Sequence, residues 1–168
     1  MTVFPTPIGE CGVVWNDRGV VGVQLPESTA EETRRRVERH WPDAAPAEPT
    51  PTASRAIEGI RALLSGEPDP MADVVIDLHG VSEFRCGVYE IARTVGPGDT
   101  ITYGAIASRL GVPHAAREVG QALGANPVPL IVPCHRVLAA GGKLGGFSAR
   151  GGVTTKSRLL AIEGASLF

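Results

Sequence analysis

Glycine and proline punctuate residues 102–133 so closely that the stretch divides into two short helices and one short apolar run. Thr102 can cap a helix over 103–110, which Gly111 can end. Val112-Pro113 begins a second helix over 114–123, and Gly124-Ala125-Asn126-Pro127 breaks the chain after it. Two short helices joined by a tight glycine-containing turn form the pattern of a helix-turn-helix, although many helical pairs look like this. Leu130-Ile131-Val132 reads as a strand, and Pro133 ends it.

Directly after that run come Cys134, His135 and Arg136, placing a thiol, an imidazole and a guanidinium side by side. A thiol is a nucleophile only as thiolate, and free cysteine has a pKa of about 8.5. A neighbouring base or cation lowers that barrier. Taken alone, a Cys-His pair is more often a buried structural cysteine beside a histidine.

The rest of the chain gives this segment its setting. Residues 11–15 and 20–25 are β-prone around the turn residues Asn16-Asp17-Arg18-Gly19, which predicts a hairpin. Thr29, with Glu32 three residues on, predicts a charged helix running to Trp41. Residues 42–53, rich in Pro and Ala, read as a flexible connection, and Ser54 as the start of a helix that Gly66 closes. Residues 74–78 read as a strand. From Ser82, the spacing of Phe84, Val88, Ile91 and Val95 predicts a helix with one buried stripe. A glycine-rich loop spans 141–152, and a last helix over 154–162 ends near Glu163. The expected division is an N-terminal α/β domain over 1–79 and a C-terminal domain over 80–168.

Charge separates the same two halves. Residues 1–83 carry 7 basic and 14 acidic side chains, whereas 84–168 carry 9 and 4. A modest basic excess in the second half hints at an anionic partner without implying tight non-specific nucleic-acid binding. The three cysteines, Cys11, Cys86 and Cys134, are widely spaced and fit neither a disulfide framework nor a metal site. The chain starts without a basic, then apolar leader, and has no apolar run of membrane-spanning length. A reducing cytoplasmic setting, no metal and no cofactor are the expectations.

Several single residues have two readings. Arg117 is either a solvated helix arginine or, among Ala115, Ala116 and Gly120, a side chain reaching into a groove. Tyr103 is a core ring or a donor to a phosphate or base. Glu163 is an ordinary helix-end charge or the orienter of His135 in a Cys-His-Glu relay. Asn126, before Pro127, reads on its own as a turn residue. Cys11 and Cys86 read as structural, and Trp15 and Trp41 as packing residues.

Taken together, ITYGAIASRLG, HAAREVG, NPVPLIVPCHRV, GGFSARGG and LLAIEG resemble the O6-alkylguanine-DNA alkyltransferases from about Phe84 to Gly164. TPIGECGVV and GEPDPMADVVIDLHG resemble that family's first domain in outline. The resemblance implies an α/β (α+β) fold. Its first part would be a small antiparallel-sheet domain with helices, RNase H-like. A mainly helical, winged-helix-like domain with a helix-turn-helix would follow. It also implies one-time transfer of an alkyl group from O6 of guanine, and from O4 of thymine as a further candidate, to Cys134. In that scheme His135 takes the thiol proton through a water, and Glu163 orients His135. Tyr103 touches the phosphate and donates to the guanine, and Asn126 braces the turn before the active site. Arg117 fills the space left by the flipped base. Ala115, Ala116, Gly120 and Arg136 would complete the DNA face. Pro129, Val137, Gly145, Phe147 and Ser148 would wall the pocket. Phe147 stands where the family commonly has tyrosine, the loop at 148–152 is two residues longer than in many members, and Glu118 follows Arg117 in place of a small apolar residue.

The chemistry agrees with this. A soft alkyl carbon suits a thiolate, the carbon is unreachable inside a duplex, and a thioether product makes the protein act once. A small-residue helix bearing an arginine suits the minor groove. The implied partner is double-stranded DNA bearing O6-alkylguanine, bound by a monomer, with cooperativity on DNA left open and no membrane partner. A DNA-damage binder, a Cys-His-Glu thiol hydrolase and a winged-helix transcription regulator are the competing readings.

Overall fold

The structure, a computed structural model, describes residues 1–165. It is a mixed α/β protein. The chain forms two compact units: Met1–Asp77 with Pro127–Ile131, and Leu78–Asn126 with the chain from Val132 onward.

In the first unit, β1 (Thr2–Thr6), β2 (Gly9–Asn16) and β3 (Gly19–Gln24) form an antiparallel sheet in that order. The predicted hairpin is β2–β3. Asn16 Oδ1 accepts from the backbone N–H groups of Arg18 and Gly19 at 2.8 and 3.1 Å, which closes its turn. Strand β1 was not predicted, because Pro5 interrupts its short β-prone run. The helices α1 (Ala30–His40) and α2 (Pro51–Leu64) pack on this sheet. Thr29 caps α1 as expected, its hydroxyl accepting from Glu32 N–H at 3.1 Å.

The second helix begins earlier than Ser54. Thr50 accepts from Ala53 N–H at 3.2 Å, and Pro51 occupies the first turn, where a missing N–H costs nothing. Only 42–50 lacks regular structure in the stretch read as a flexible connection. The strand expected at 74–78 reduces to a single parallel bridge between Val20 and Ile76. The Pro127–Ile131 segment, assigned from sequence to the second half, belongs to the first unit, where Val23 N–H donates to the Pro127 carbonyl at 2.9 Å.

The second unit begins with α3 (Glu83–Arg93), capped by Ser82. A short β4 (Ile101–Thr102) leads into α4 (Tyr103–Arg109), and α5 (Ala116–Gly124) follows. Thr102 caps α4, accepting from Ala105 N–H at 3.1 Å. Gly111, at φ +78°, lets the chain leave α4 in a left-handed turn that favours glycine. Tyr89 and Arg85 fasten α3 to α5. The buried Tyr89 hydroxyl donates to the Ala122 carbonyl at 2.6 Å, and Arg85 Nη2 donates to the Ala125 carbonyl at 2.9 Å. Both bonds satisfy carbonyls at the C-terminal end of α5, where a cation also complements the helix dipole. The unit ends with β5 (Val137–Leu138) and α6 (Val153–Ile162).

The run 130–132 is buried but is not a strand. Prolines at 127, 129 and 133 remove backbone donors, and Leu130 adopts φ +74°. Cys134–Arg136 form a single 3-10 turn that runs directly into β5. Strand β5 pairs in parallel with β4, matching Ile101 with Val137 and Thr102 with Leu138.

Candidate active site

The β4–β5 ladder fixes the site. Tyr103 follows β4 at the start of α4, and the Cys134 turn immediately precedes β5. A cavity of about 550 Å³ opens between them, lined by Tyr103, Arg117, Gly120, Cys134, Phe147 and Ser148 among others. Its residues come from α4, α5, the Cys134 turn and the glycine-rich loop. Cys134 is the one cysteine lining it, with 9% of its surface exposed.

Of the residues read as DNA-facing or pocket-forming, Ala116, Arg117, Gly120, Tyr103, Phe147 and Ser148 line the cavity. Arg117 is exposed at the second position of α5. Ala115, Gly145, Pro129 and Val137 do not line it. Ala115 is the N-cap of α5, and Gly145 lies against the Tyr103 ring, where a Cβ would meet the Tyr103 hydroxyl at 2.9 Å. Val137 is buried in β5, and Pro129 belongs to the segment of the first unit.

Arg136 corrects the sequence reading most sharply. Expected on the DNA face, it is 1% exposed. Its Nη2 donates to Glu163 Oε1 at 2.7 Å, its Nε to Glu163 Oε2 at 3.0 Å, and its Nη1 to the Val95 carbonyl at 2.8 Å. A buried guanidinium is stable only when paired and hydrogen-bonded, and this one is both.

Glu163 sits just after α6, with its side chain 1% exposed. Burial raises its pKa, but hydrogen bonds from His135 and Arg136 outweigh that and hold it at about 2. A carboxylate can only accept. The His135 Nε2, 2.7 Å from Glu163 Oε1, therefore carries the proton and donates it. That tautomer leaves His135 Nδ1 as a bare acceptor. Nδ1 is buried without a hydrogen-bond partner among the described residues. Burial lowers the His135 pKa, Glu163 opposes this, and Arg136 and Lys156 add to it, so the ring rests neutral.

Burial also raises the Cys134 pKa, while the Asn126 side chain and the charge of Lys156 lower it. Asn126 Nδ2 donates to the Val132 carbonyl at 2.9 Å and so braces the approach to the turn. Lys156 was not singled out from sequence. It is fully buried, and its ammonium donates to the Val137 carbonyl at 2.6 Å, with the Tyr103 hydroxyl and the Gly146 carbonyl at 3.4 Å. Burial lowers its pKa to about 8, and a thiolate at Cys134 would raise it. The signal was its spacing: Lys156 shares a helix face with the core residues Leu159 and Leu160.

The remaining cysteines are unsuited to chemistry. Cys11 is fully buried in β2, and burial pushes its thiol up to about 12. Cys86 is half-buried on α3, its sulfur 3.7 Å from the Val81 carbonyl.

These pKa shifts have a consequence for stability. An unfolded glutamate titrates near 4.3 and an unfolded histidine near 6.5. Both folded values lie lower, so the folded protein binds fewer protons in those windows and loses stability as pH falls through them. Unfolding by urea at a series of pH values should show stability declining below pH ~6.5 and again from ~4 toward 2. The gap between wild type and Glu163→Gln should narrow across the lower window; a constant gap there would contradict the ionised Glu163.

A profile described as 6-O-methylguanine DNA methyltransferase, DNA binding domain, matches residues 83–165. A methylated-DNA–protein-cysteine methyltransferase of Mycobacterium bovis is 38% identical over 94% of this chain and 88% of its own length. A DNA base-flipping protein of Thermus thermophilus is 37% identical over 96% of this chain and 98% of its own. The crystal structure of Mycobacterium tuberculosis OGT in complex with DNA superposes with a TM-score of 0.75 at 35% identity, covering 96% of this chain and 91% of that one.

Proposed function

The chain belongs to the methylated-DNA–protein-cysteine methyltransferase family, and from that premise we propose how its pocket performs alkyl transfer. The protein is a DNA-binding repair transferase that reverses alkylation directly. Cys134 is the acceptor, and its substrate is O6-alkylguanine rotated out of duplex DNA. The observation that carries this is the convergence, in one cavity, of the Cys134 thiol, the Tyr103 hydroxyl and the exposed Arg117, with a bare imidazole nitrogen next to the thiol in sequence.

His135 Nδ1, through a water, takes the thiol proton. The sulfur attacks the alkyl carbon, the carbon–O6 bond breaks, and its electron pair stays on the guanine, to which Tyr103 donates a hydrogen bond. The product is a thioether at Cys134, which is not a leaving group at neutral pH, so each molecule acts once. Lys156, the buried cation whose pKa responds to the Cys134 charge, supports the anionic sulfur before transfer.

The small residues Ala116 and Gly120 let α5 approach a minor groove, where Arg117 fills the stack behind the flipped nucleotide. O4-alkylthymine fits the same chemistry. We further propose that the protein acts as a monomer in the cytoplasm. No described helix is long and apolar enough to cross a membrane.

Intact-protein mass spectrometry after incubation with a duplex bearing one O6-methylguanine tests this reading. The expected result is a gain of one methylene unit per molecule, mapped to the Cys134 peptide. Lesion-dependent binding without any mass change would replace transfer with damage sensing, a reading favoured by the similarity to the Thermus base-flipping protein.

A further inference from the structure

We propose that Arg136 is a positioning residue of the transfer reaction: its guanidinium neutralises Glu163 while holding it against His135, so that the imidazole stays oriented yet unprotonated. This rests on the reading of His135 as the base for Cys134.

The argument begins with the carboxylate. A lone carboxylate 2.7 Å from an imidazole nitrogen orients the ring but also stabilises the imidazolium. That attraction pulls the ring toward the imidazolium, against the burial that favours its neutral form, and so works against acceptance of the thiol proton. Glu163 is not alone. Arg136 lies 2.7 Å from the same Oε1 and 3.0 Å from Oε2, so the carboxylate faces two donors of which one carries a permanent charge. The backbone N–H of Gly98 is its further neighbour, at 3.4 Å.

The charged and titratable groups acting on His135 are Glu163 just beyond α6, Arg136 on its own turn and Lys156 from α6, with Cys134 beside it in sequence. With the imidazole and thiol neutral, this set holds two cations and one anion. A proton on His135 would add a third cation around a ring only 1% exposed. Moving the Cys134 proton to His135 leaves the net charge unchanged and creates an opposite-charge pair. The arrangement therefore disfavours a resting imidazolium and tolerates one formed together with the thiolate.

Geometry makes arginine the fitting residue. Nε and Nη2 address the carboxylate while Nη1 reaches the Val95 carbonyl, so one planar group both neutralises Glu163 and fixes its direction. A lysine carries the charge on a single compact ammonium and lacks that fork.

The test is an imidazole titration by NMR on the full-length protein carrying Cys134→Ser. It is paired with the pH dependence of alkyl transfer in the Cys134 protein. Each is measured for Arg136, Arg136→Lys and Arg136→Met. The expected midpoint of His135 rises by at least one pH unit in Arg136→Met, and the acid limb of the transfer rate rises with it. At the wild-type midpoint the variant is then about tenfold or more slower than its own alkaline plateau. Arg136→Lys, which keeps the charge, shifts the midpoint by less than half as much.

Because Arg136→Met strands a buried carboxylate, the double variant Arg136→Met/Glu163→Gln provides a form neutral at both positions. Its His135 midpoint is expected at or below that of wild type. An unshifted midpoint in both single variants, with rates reduced equally at every pH, would reduce Arg136 to a structural brace and overturn the proposal. So would a raised midpoint in the double variant, which contains no carboxylate to raise it. Absence of transfer by wild type at every pH would refute the alkyl-transfer reading instead, while the NMR midpoints would still decide the role of Arg136.

Discussion

Cys134→Ser is expected to abolish alkyl transfer while leaving duplex binding within about twofold of wild type. The substitution exchanges sulfur for a slightly smaller oxygen at a position only 9% exposed, so the cavity wall keeps its shape. The chemistry does not survive the exchange. A serine hydroxyl is far less acidic than a thiol, and a weak nucleophile needs far stronger activation than one neutral imidazole supplies. Transfer should fall by at least a thousandfold, on the order of 4 kcal/mol of barrier. Neither Cys11, fully buried with its thiol pushed up to about 12, nor the half-buried Cys86 lines the cavity to replace it. Intact mass after incubation with alkylated duplex, with fluorescence anisotropy on the same oligonucleotide, measures both halves of the prediction. A mass gain at wild-type rate in the variant would mean that the acceptor lies elsewhere.

Arg117→Ala is expected to separate the work done on the duplex from the work done on the base. Extruding a nucleotide costs a few kcal/mol of lost pairing and stacking. An arginine filling the vacated space returns part of that, so its loss should slow transfer from duplex DNA by about a hundredfold, or roughly 2.7 kcal/mol. A free O6-alkylguanine base needs no extrusion. Since Arg117 is exposed on α5 while the His135–Glu163 pair is buried, reaction with that base should change by no more than about twofold. Single-turnover rates on the two substrates decide the matter. Equal losses on both would place Arg117 in the pocket chemistry rather than behind the flipped base.

How much of this was legible in the sequence depends on whether local or distant partners set the outcome. The caps of α1 and α4 were readable because Thr29 and Thr102 bond to backbone three residues on. The start of α2 was misread because prolines made 42–53 look like a linker, although Pro51 is well suited to a first turn. The run 130–132 was misread because apolar periodicity reports burial and not pairing. The Cys-His-Glu set was legible as chemistry. Arg136 was not, because a basic residue in a basic half reads as surface until the carboxylate 27 positions away is seen beside it. Lys156 was hidden for the same reason, its principal partner being a backbone carbonyl 19 residues away.

The pairing of β4 with β5 has a consequence for how this pocket can diverge. That two-residue ladder adjoins both Tyr103 and the Cys134 turn, so it anchors the reactive floor. Gly146, Phe147 and Ser148, by contrast, come from a loop outside that ladder. Gly145 and Gly146 tie the start of that loop to Tyr103 and Lys156, but the loop beyond them can accumulate changes independently of the floor. Natural selection or a protein engineer can rewrite the roof, altering length or exchanging Phe147, to admit new adducts while the transfer machinery is inherited intact.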